Sequence, residues 1–506
     1  MKSIVNYMYE NIENKKLVLS EYAELSDNKL IVNKLESKDV VRFSNYLVER
    51  NKKENYSKKI GVLMNNSLGF VNAFYSIILN NKIVVGINTK VSLDELNHII
   101  EINEIDLIIT ETYFEDILSK SCIKDVINYD KIDLEKYSEN FELERIQPSL
   151  EEVMLISYTS GTSGKFSKPV EITYKNVSFV SEEYAKVYKM QNNYKCITVL
   201  PLWHNYAMFA CLTSSIVAGS SIVIMKEWNL ELFLKINEIL KPQIFPGSPY
   251  MYIDIINNVE NLHKLDNLKV CDCGGDSLPI ECIKRFEKLT GAIITEGYGL
   301  TETTSLTHFN YSASERKVGS LGKCVSDTEC KILDLNGNEL PNNTWGLLWI
   351  KGPMVFKGYV GINLTDTPNL TADGWFNTND VVKRDDDGFY FFAGRFTDLQ
   401  MLGDDDFQFR DLENKLYQYE GIKRVHVKTN KNEIGNFPYF DIIAELKEGY
   451  SIQDLYDYIN LNLKAFVIND VKVVDKLPTT GTGKIKRNKI NDILVDKNDN
   501  TKTEVQ

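Results

Sequence analysis

The residues with the clearest chemical purpose run Tyr158-Thr159-Ser160-Gly161-Thr162-Ser163-Gly164-Lys165, with Lys168 just beyond. Glycines let a backbone curl until its N–H groups converge on anionic oxygens. Hydroxyls add donors and lysines add charge, so the segment suits a polyphosphate. The Gly-x-x-x-x-Gly-Lys-Ser/Thr spacing of a P-loop is absent. Read alone, a flexible Ser/Gly linker explains the run as well as a phosphate cradle does. His204, in Leu202-Trp203-His204-Asn205-Tyr206-Ala207-Met208, follows a strand end. That position favours a ligand contact over a satisfied core histidine.

Positioning such groups requires a scaffold, and the apolar pattern supplies one. IGVLM (60–64), IVVGI (83–87) and IDLIIT (105–110) read as strands, with helices over Gly69 to Leu79 and Leu93 to Ile102 between them. The alternation predicts parallel α/β layers. It resumes at CITVL (196–200), the helix after Trp203, and SIVIM (221–225). Asn205 to Met225 is uncharged and long enough to span a bilayer. Gly219-Ser220-Ser221 divides it, so it reads as a buried helix and a strand rather than a membrane span. From about 318 to 395, short strands between Gly, Asn and Asp turns predict a small β subdomain. Beyond it, a helix near 409–420, strands at VHVKT, DIIAEL and VKVVD, and a helix over 452–464 predict a compact α+β module. The expected fold is therefore α/β: a large N-terminal domain of layered α/β subdomains with a small β subdomain, then a small mobile α+β domain. We place the domains at 1–397 and 398–496, with 497–506 as a disordered tail.

At 506 residues the chain is too long for one simple core. Its net charge of −13 repels nucleic acid and anionic lipid, so neither is an expected partner. The eight cysteines form no Cys-x-x-Cys pair, and the five histidines do not cluster with them along the chain. Zinc and redox motifs are not expected; reduced thiols in a cytoplasmic protein are. The N-terminus lacks the apolar run of a signal peptide.

The 158–168 segment resembles the phosphate loop Thr-Ser-Gly-[Ser/Thr]-[Ser/Thr]-Gly-x-Pro-Lys-Gly of the adenylate-forming superfamily, which includes acyl-CoA synthetases, carrier-loading adenylation domains and luciferases. The match holds through Gly164. Phe166-Ser167 then replaces the single Pro, and Lys168 is displaced by one position. Further matches follow in the family's order. Tyr298-Gly299-Leu300-Thr301-Glu302 resembles Tyr-Gly-x-Thr-Glu, implying that Tyr298 flanks adenine, Thr301 meets the α-phosphate and Glu302 binds magnesium. A hard cation favours such a carboxylate. Gly274-Gly275-Asp276 resembles the loop lining adenine and the acyl pocket, and Gly299 adjoins that pocket. Gly374-Trp375-Phe376-Asn377-Thr378-Asn379-Asp380 resembles Gly-Trp-x-x-Thr-Gly-Asp, whose Asp accepts hydrogen bonds from ribose. Asn379 stands where Gly is usual; Asn tolerates positive φ, so the turn is expected to survive. Arg395, in Gly394-Arg395, is implied to lie near ribose, and Asp398 at the hinge of a rotating lid domain. Leu477-Pro478-Thr479-Thr480-Gly481-Thr482-Gly483-Lys484 resembles the family's C-terminal motif, making Lys484 the implied catalytic lysine.

The resemblance implies that ATP, with Mg2+, activates a small carboxylic acid as an acyl adenylate, releasing pyrophosphate. The acyl group then passes to the thiol of CoA or of a carrier protein's phosphopantetheine. His204, Asn205 and Met208 are implied to wall the acyl pocket. No Asp occurs there to pair an α-amine, which favours a fatty or aryl acid over an amino acid. Asp404-Asp405-Asp406 departs from the stretch that shapes the pantetheine tunnel and should repel CoA phosphates and an acidic carrier alike. The competing readings are a non-catalytic nucleotide-binding relative, favoured by Phe166-Ser167, Asn379 and the Asp run, and an amino-acid adenylating enzyme.

Overall fold

The computed structural model describes residues 1–14, 18–140, 144–159, 166–258, 265–311, 315–396, 408–431, 438–479, 489–490 and 493–494. Among them, strands form sheets of nine, seven, four and three. The seven-stranded sheet carries the predicted parallel run: Lys59–Leu63 lies between Ile83–Gly86 and Leu107–Thr110, all parallel. Val153–Tyr158 pairs parallel to Ile83–Gly86 and antiparallel to Pro169–Thr173, so the predicted phosphate segment joins two neighbouring strands.

The nine-stranded sheet has a parallel core. Its order runs Ile294–Tyr298, Val270–Cys273, Ile244–Gly247, Lys195–Thr198, Ser221–Ile224 and Val18–Ser26. Their carboxyl ends share one edge, where open α/β sheets bind ligands. Val18–Ser26 continues as an antiparallel hairpin into Lys29–Glu36. This hairpin escaped sequence reading because its residues alternate weakly and carry many charges.

Helix Leu68–Leu79 is buried on nearly every side, as its sequence LGFVNAFYSIIL requires. Each large apolar side chain it removes from water contributes about 1.5–3 kcal/mol before entropy is counted. The Ser67 hydroxyl caps it by accepting from Phe70 N. The sheets approach where Gly86 meets Trp203: a Cβ on Gly86 would lie 3.2 Å from the Trp203 carbonyl oxygen.

The uncharged stretch from Asn205 divides as expected. Helical turns cover Asn205–Ala207, Met208–Thr213 and Ser214–Ala218, and the strand Ser221–Ile224 follows. Met208–Thr213 is π-helical, a local widening common near functional sites. Gly219 ends the helix at φ +62°. Among the described residues, no helix is long and apolar enough to cross a membrane.

The predicted β subdomain is the antiparallel sheet of Glu329–Leu333, Gly346–Lys351, Phe376–Arg384 and Tyr390–Arg395. The small C-terminal domain packs helices Gln408–Leu416 and Ile452–Asn462 with strands Ile422–Lys431, Pro438–Leu446 and Ile468–Val473. It meets the large domain through the Asn414 amide oxygen, which accepts from Ile280 N at 2.9 Å, and Asn257, which donates to the Lys423 carbonyl at 3.3 Å. Asp398, the predicted hinge, lies outside the described residues, as do Asp404-Asp405-Asp406 and the 497–506 tail.

Candidate functional site

Val153–Tyr158 ends beside the predicted phosphate segment, whose base is closed by a reciprocal pair. Thr159 N donates to the Lys168 carbonyl at 3.1 Å, and Lys168 N donates to Thr159 Oγ1 at 3.3 Å. Ser160, Gly161, Thr162, Ser163 and Gly164 lie outside the described residues. The departure at Phe166-Ser167 is docked on helix Leu93–Asn103. Phe166 stacks on His98 at 4.7 Å between ring centroids, and Ser167 Oγ donates to Glu95 at 3.2 Å.

Lys168 Nζ stands 5.5 Å from the centre of the Tyr359 ring. The Tyr359 hydroxyl donates to Glu302 Oε1 at 2.9 Å. The fold thus gathers Lys168, Tyr359 and Glu302 from three separate segments, with a carboxylate at the phenol hydroxyl and an ammonium over its ring. Burial and the nearby Glu302 charge raise the Tyr359 pKa, so its hydroxyl remains a donor. Sequence reasoning missed Tyr359. It sits on the short strand Gly358–Tyr359, held antiparallel to Pro169–Thr173, and no motif announces it.

Thr301 and Glu302 occupy a single 3-10 turn after strand Ile294–Tyr298. Gly299 makes the turn feasible: a Cβ there would lie 2.2 Å from the Ser305 carbonyl carbon. Gly299 therefore packs on backbone. Asn205, nearly fully buried, ties this turn to the phosphate strand. Its Oδ1 accepts from Ser157 Oγ at 2.5 Å, and its Nδ2 donates to the Thr301 carbonyl at 3.4 Å.

Asp380 is 1% exposed. Tyr298 donates its hydroxyl to Asp380 Oδ2 at 2.5 Å, and Arg395 Nε lies 3.0 Å from Oδ1. Arg395 Nη1 also donates to the Thr378 carbonyl at 3.0 Å. Asn379 adopts φ +57°, so the expected left-handed turn survives without glycine. Burial, then Asp380, raises the Tyr298 pKa, keeping the phenol protonated.

A small cleft, with room of about 20 Å³, is lined by Leu200, His204, Tyr206, Ser248, Gly274 and Gly275, among others. These residues lie just past the carboxyl ends of Lys195–Thr198, Ile244–Gly247 and Val270–Cys273. His204 caps the following helical turn: its Nδ1 accepts from Tyr206 N at 3.3 Å. Gly275 has φ +84°, and Gly274 lies against Tyr206, whose ring carbon would sit 2.7 Å from an added Cβ. Met208 is fully buried in the core. Asp272 accepts from Tyr188 at 2.6 Å and Tyr206 at 2.8 Å. Burial lifts its carboxyl from 3.8 to about 6, although both phenols oppose that rise.

Lys484 lies outside the described residues. Leu477 and Ile490, which flank it in sequence, are both buried against Ile443.

The architecture defines an α/β protein with a cleft at the carboxyl ends of parallel strands and a second, smaller domain beside it. Residues 37–360 match the AMP-binding enzyme family, and the chain belongs to that family. This bears out the resemblance to adenylate-forming enzymes. A long-chain-fatty-acid–CoA ligase of Bacillus subtilis is 32% identical over 294 residues, 57% of this chain and 52% of that relative. The match thus spans about half that relative's length. A 2-succinylbenzoate–CoA ligase of Oceanobacillus iheyensis is 24% identical over 93% of this chain and 98% of its own. The crystal structure of an anthranilate CoA ligase with anthranoyl-AMP shares the fold, with a TM-score of 0.84 at 20% identity over 97% of both chains.

Proposed function

We infer that this protein activates a carboxylic acid with ATP, releasing pyrophosphate, and passes the acyl group from the resulting adenylate to the thiol of CoA. The observation that carries the reading is the buried Asp380 carboxylate, held between Tyr298 and Arg395 near the Thr301–Glu302 turn. It suits ribose hydroxyls once the half-exposed Arg395 side chain moves aside, since each carboxylate oxygen can accept more than one hydrogen bond.

A carboxylate attacks the α-phosphorus of ATP; the bond to pyrophosphate breaks and a mixed anhydride forms. Two anions must approach, so the barrier is electrostatic and positional. Lys168 and Lys484 supply mobile positive charge, and Thr301 and the 159–164 segment supply donors. Glu302 is the residue that would hold Mg2+, which when bound neutralises phosphate charge; a half-buried carboxylate with one hydrogen-bonded oxygen fits that use. His204 and the Gly274-Gly275 wall line the acyl side. Rotation of the small domain about Asp398 then withdraws Lys484 and admits the thiol.

The names of the relatives favour CoA over a carrier protein. A fatty or aryl acid is favoured by the names of the relatives, a long-chain-fatty-acid–CoA ligase and a 2-succinylbenzoate–CoA ligase, although one carboxylate, Asp276, lines the cleft with His204. The test is ATP–pyrophosphate exchange across fatty, aryl and amino acids, followed by addition of CoA or a holo-carrier protein. Exchange with a fatty or aryl acid and thioester formation with CoA is the expected result. ATP binding without exchange on any acid would instead identify a non-catalytic nucleotide binder.

A further inference from the structure

The sequence separates the histidines from the cysteines, yet the fold brings three of them together. His308 lies on strand His308–Phe309, Cys324 on Lys323–Cys324 and Cys330 on Glu329–Leu333. The antiparallel register sets His308 directly opposite Cys324. His308 Nε2 is 3.5 Å from Cys324 Sγ and 3.6 Å from Cys330 Sγ, and the two sulfurs are 3.3 Å apart. All three ligand atoms therefore lie within 4.8 Å of one another.

These separations resemble three corners of a metal tetrahedron. With Zn–S about 2.3 Å and Zn–N about 2.0 Å, tetrahedral angles give S···N about 3.5 Å and S···S about 3.8 Å. Both sulfur–nitrogen distances already fit. The sulfurs need to part by only about half an ångström.

His308 Nδ1 has an oxygen neighbour: the Thr307 hydroxyl lies 2.9 Å from it. In the tautomer with the proton on Nδ1, that hydroxyl accepts and the lone pair of Nε2 faces both sulfurs. An oxygen partner on the far nitrogen is the usual support of a metal-bound histidine. His308 is fully buried, and the Tyr390 ring packs on it at 4.4 Å. Cys330 and Tyr390 also border a narrow crevice with Glu339 and Arg384.

We propose that His308, Cys324 and Cys330 form a zinc site, with water or the Tyr390 hydroxyl as the fourth ligand. Binding releases the two thiol protons to solvent, and the two thiolates balance the charge of Zn2+. The site adjoins Tyr298, proposed above to lie in the nucleotide site. The His308 ring is 5.6 Å from that of Tyr298, whose hydroxyl holds Asp380. Zinc would therefore brace the strand that presents Tyr298, without touching a substrate.

The experiment uses the full chain, untagged, reduced and stripped of metal, then incubated with Zn2+ and gel-filtered. Elemental analysis should find about one zinc per chain, lost in the double variant Cys324→Ser/Cys330→Ser. Zinc should also slow iodoacetamide alkylation of Cys324 and Cys330 about tenfold in the wild-type chain, read by peptide mass, while exposed Cys122 is unaffected. The alkylation measurement needs no variant to fold. Absence of bound zinc, equal zinc in the double variant, or unprotected Cys324 and Cys330 each overturns the proposal.

Discussion

Asp380 and Arg395 face each other across adjacent antiparallel strands, with the Arg395 Nε 3.0 Å from a carboxylate oxygen that is almost wholly buried. The guanidinium thus orients the carboxylate while itself reaching solvent. Asp380→Asn replaces the carboxylate proposed above to accept from ribose. Loss of about 1.5–3 kcal/mol of ATP binding, roughly 10- to 100-fold, is expected by calorimetry. ATP binding within twofold of wild type would remove Asp380 from the nucleotide site.

Tyr359→Phe deletes the hydroxyl that donates to Glu302 and leaves the ring beside Lys168. The Mg2+ concentration for half-maximal pyrophosphate exchange should shift several-fold, with thermal stability changed by only about 1 kcal/mol. An unchanged Mg2+ dependence would detach Tyr359 from the metal side of the site.

Lys484→Ala should cut adenylation by about a hundredfold or more while ATP binding stays near wild type, because the charge acts where negative charge builds up during attack. The two readouts are exchange rate and calorimetric affinity. A variant that adenylates at the normal rate contradicts the assignment.

Gly299→Ala forces a methyl group into the Ser305 backbone. A cost of about 2–4 kcal/mol is expected, read as a fall in denaturation midpoint. Gly291→Ala serves as the comparison: its φ is +70°, but no atom lies within 4 Å of the added Cβ, so only about 1 kcal/mol is expected. Equal losses in the two variants would mean that the Gly299 turn relaxes easily.

Asp272 gives a signed pH dependence. Its carboxyl is raised from 3.8 to about 6 in the folded state, so the folded chain holds its proton longer than the unfolded chain does. The corresponding stability is complete below about 3.8 and is lost as pH rises through about 6, amounting to roughly 3 kcal/mol. Asp272→Asn cannot ionise, so its stability relative to wild type should improve by that amount between pH 4 and pH 7. A difference that stays flat across this range in urea denaturation excludes the effect.

Much of the scaffold was legible because it is written in local periodicity. The strands at 60–64, 83–87 and 105–110, and the helices between them, need only a continuous apolar run or a helical spacing to declare themselves. The hairpin Val18–Ser26 with Lys29–Glu36 was not legible. Its first strand is recruited by pairing with Ser221–Ile224, about two hundred residues away, and the second by pairing with the first, rather than by their own hydrophobicity.

The same division runs through the site. Thr159, Thr301, Glu302, Asp380 and Arg395 stand in short contiguous motifs, because a turn that presents a side chain is built by its immediate neighbours; the left-handed Asn379 is the clearest case. Tyr359, the Asn205 bridge and the His308–Cys324–Cys330 cluster have no local signature. His308 and Cys324 are 16 residues apart, and Cys324 and Cys330 are 6 apart. Only strand register, set by the packing of whole sheets, brings those atoms within bonding reach.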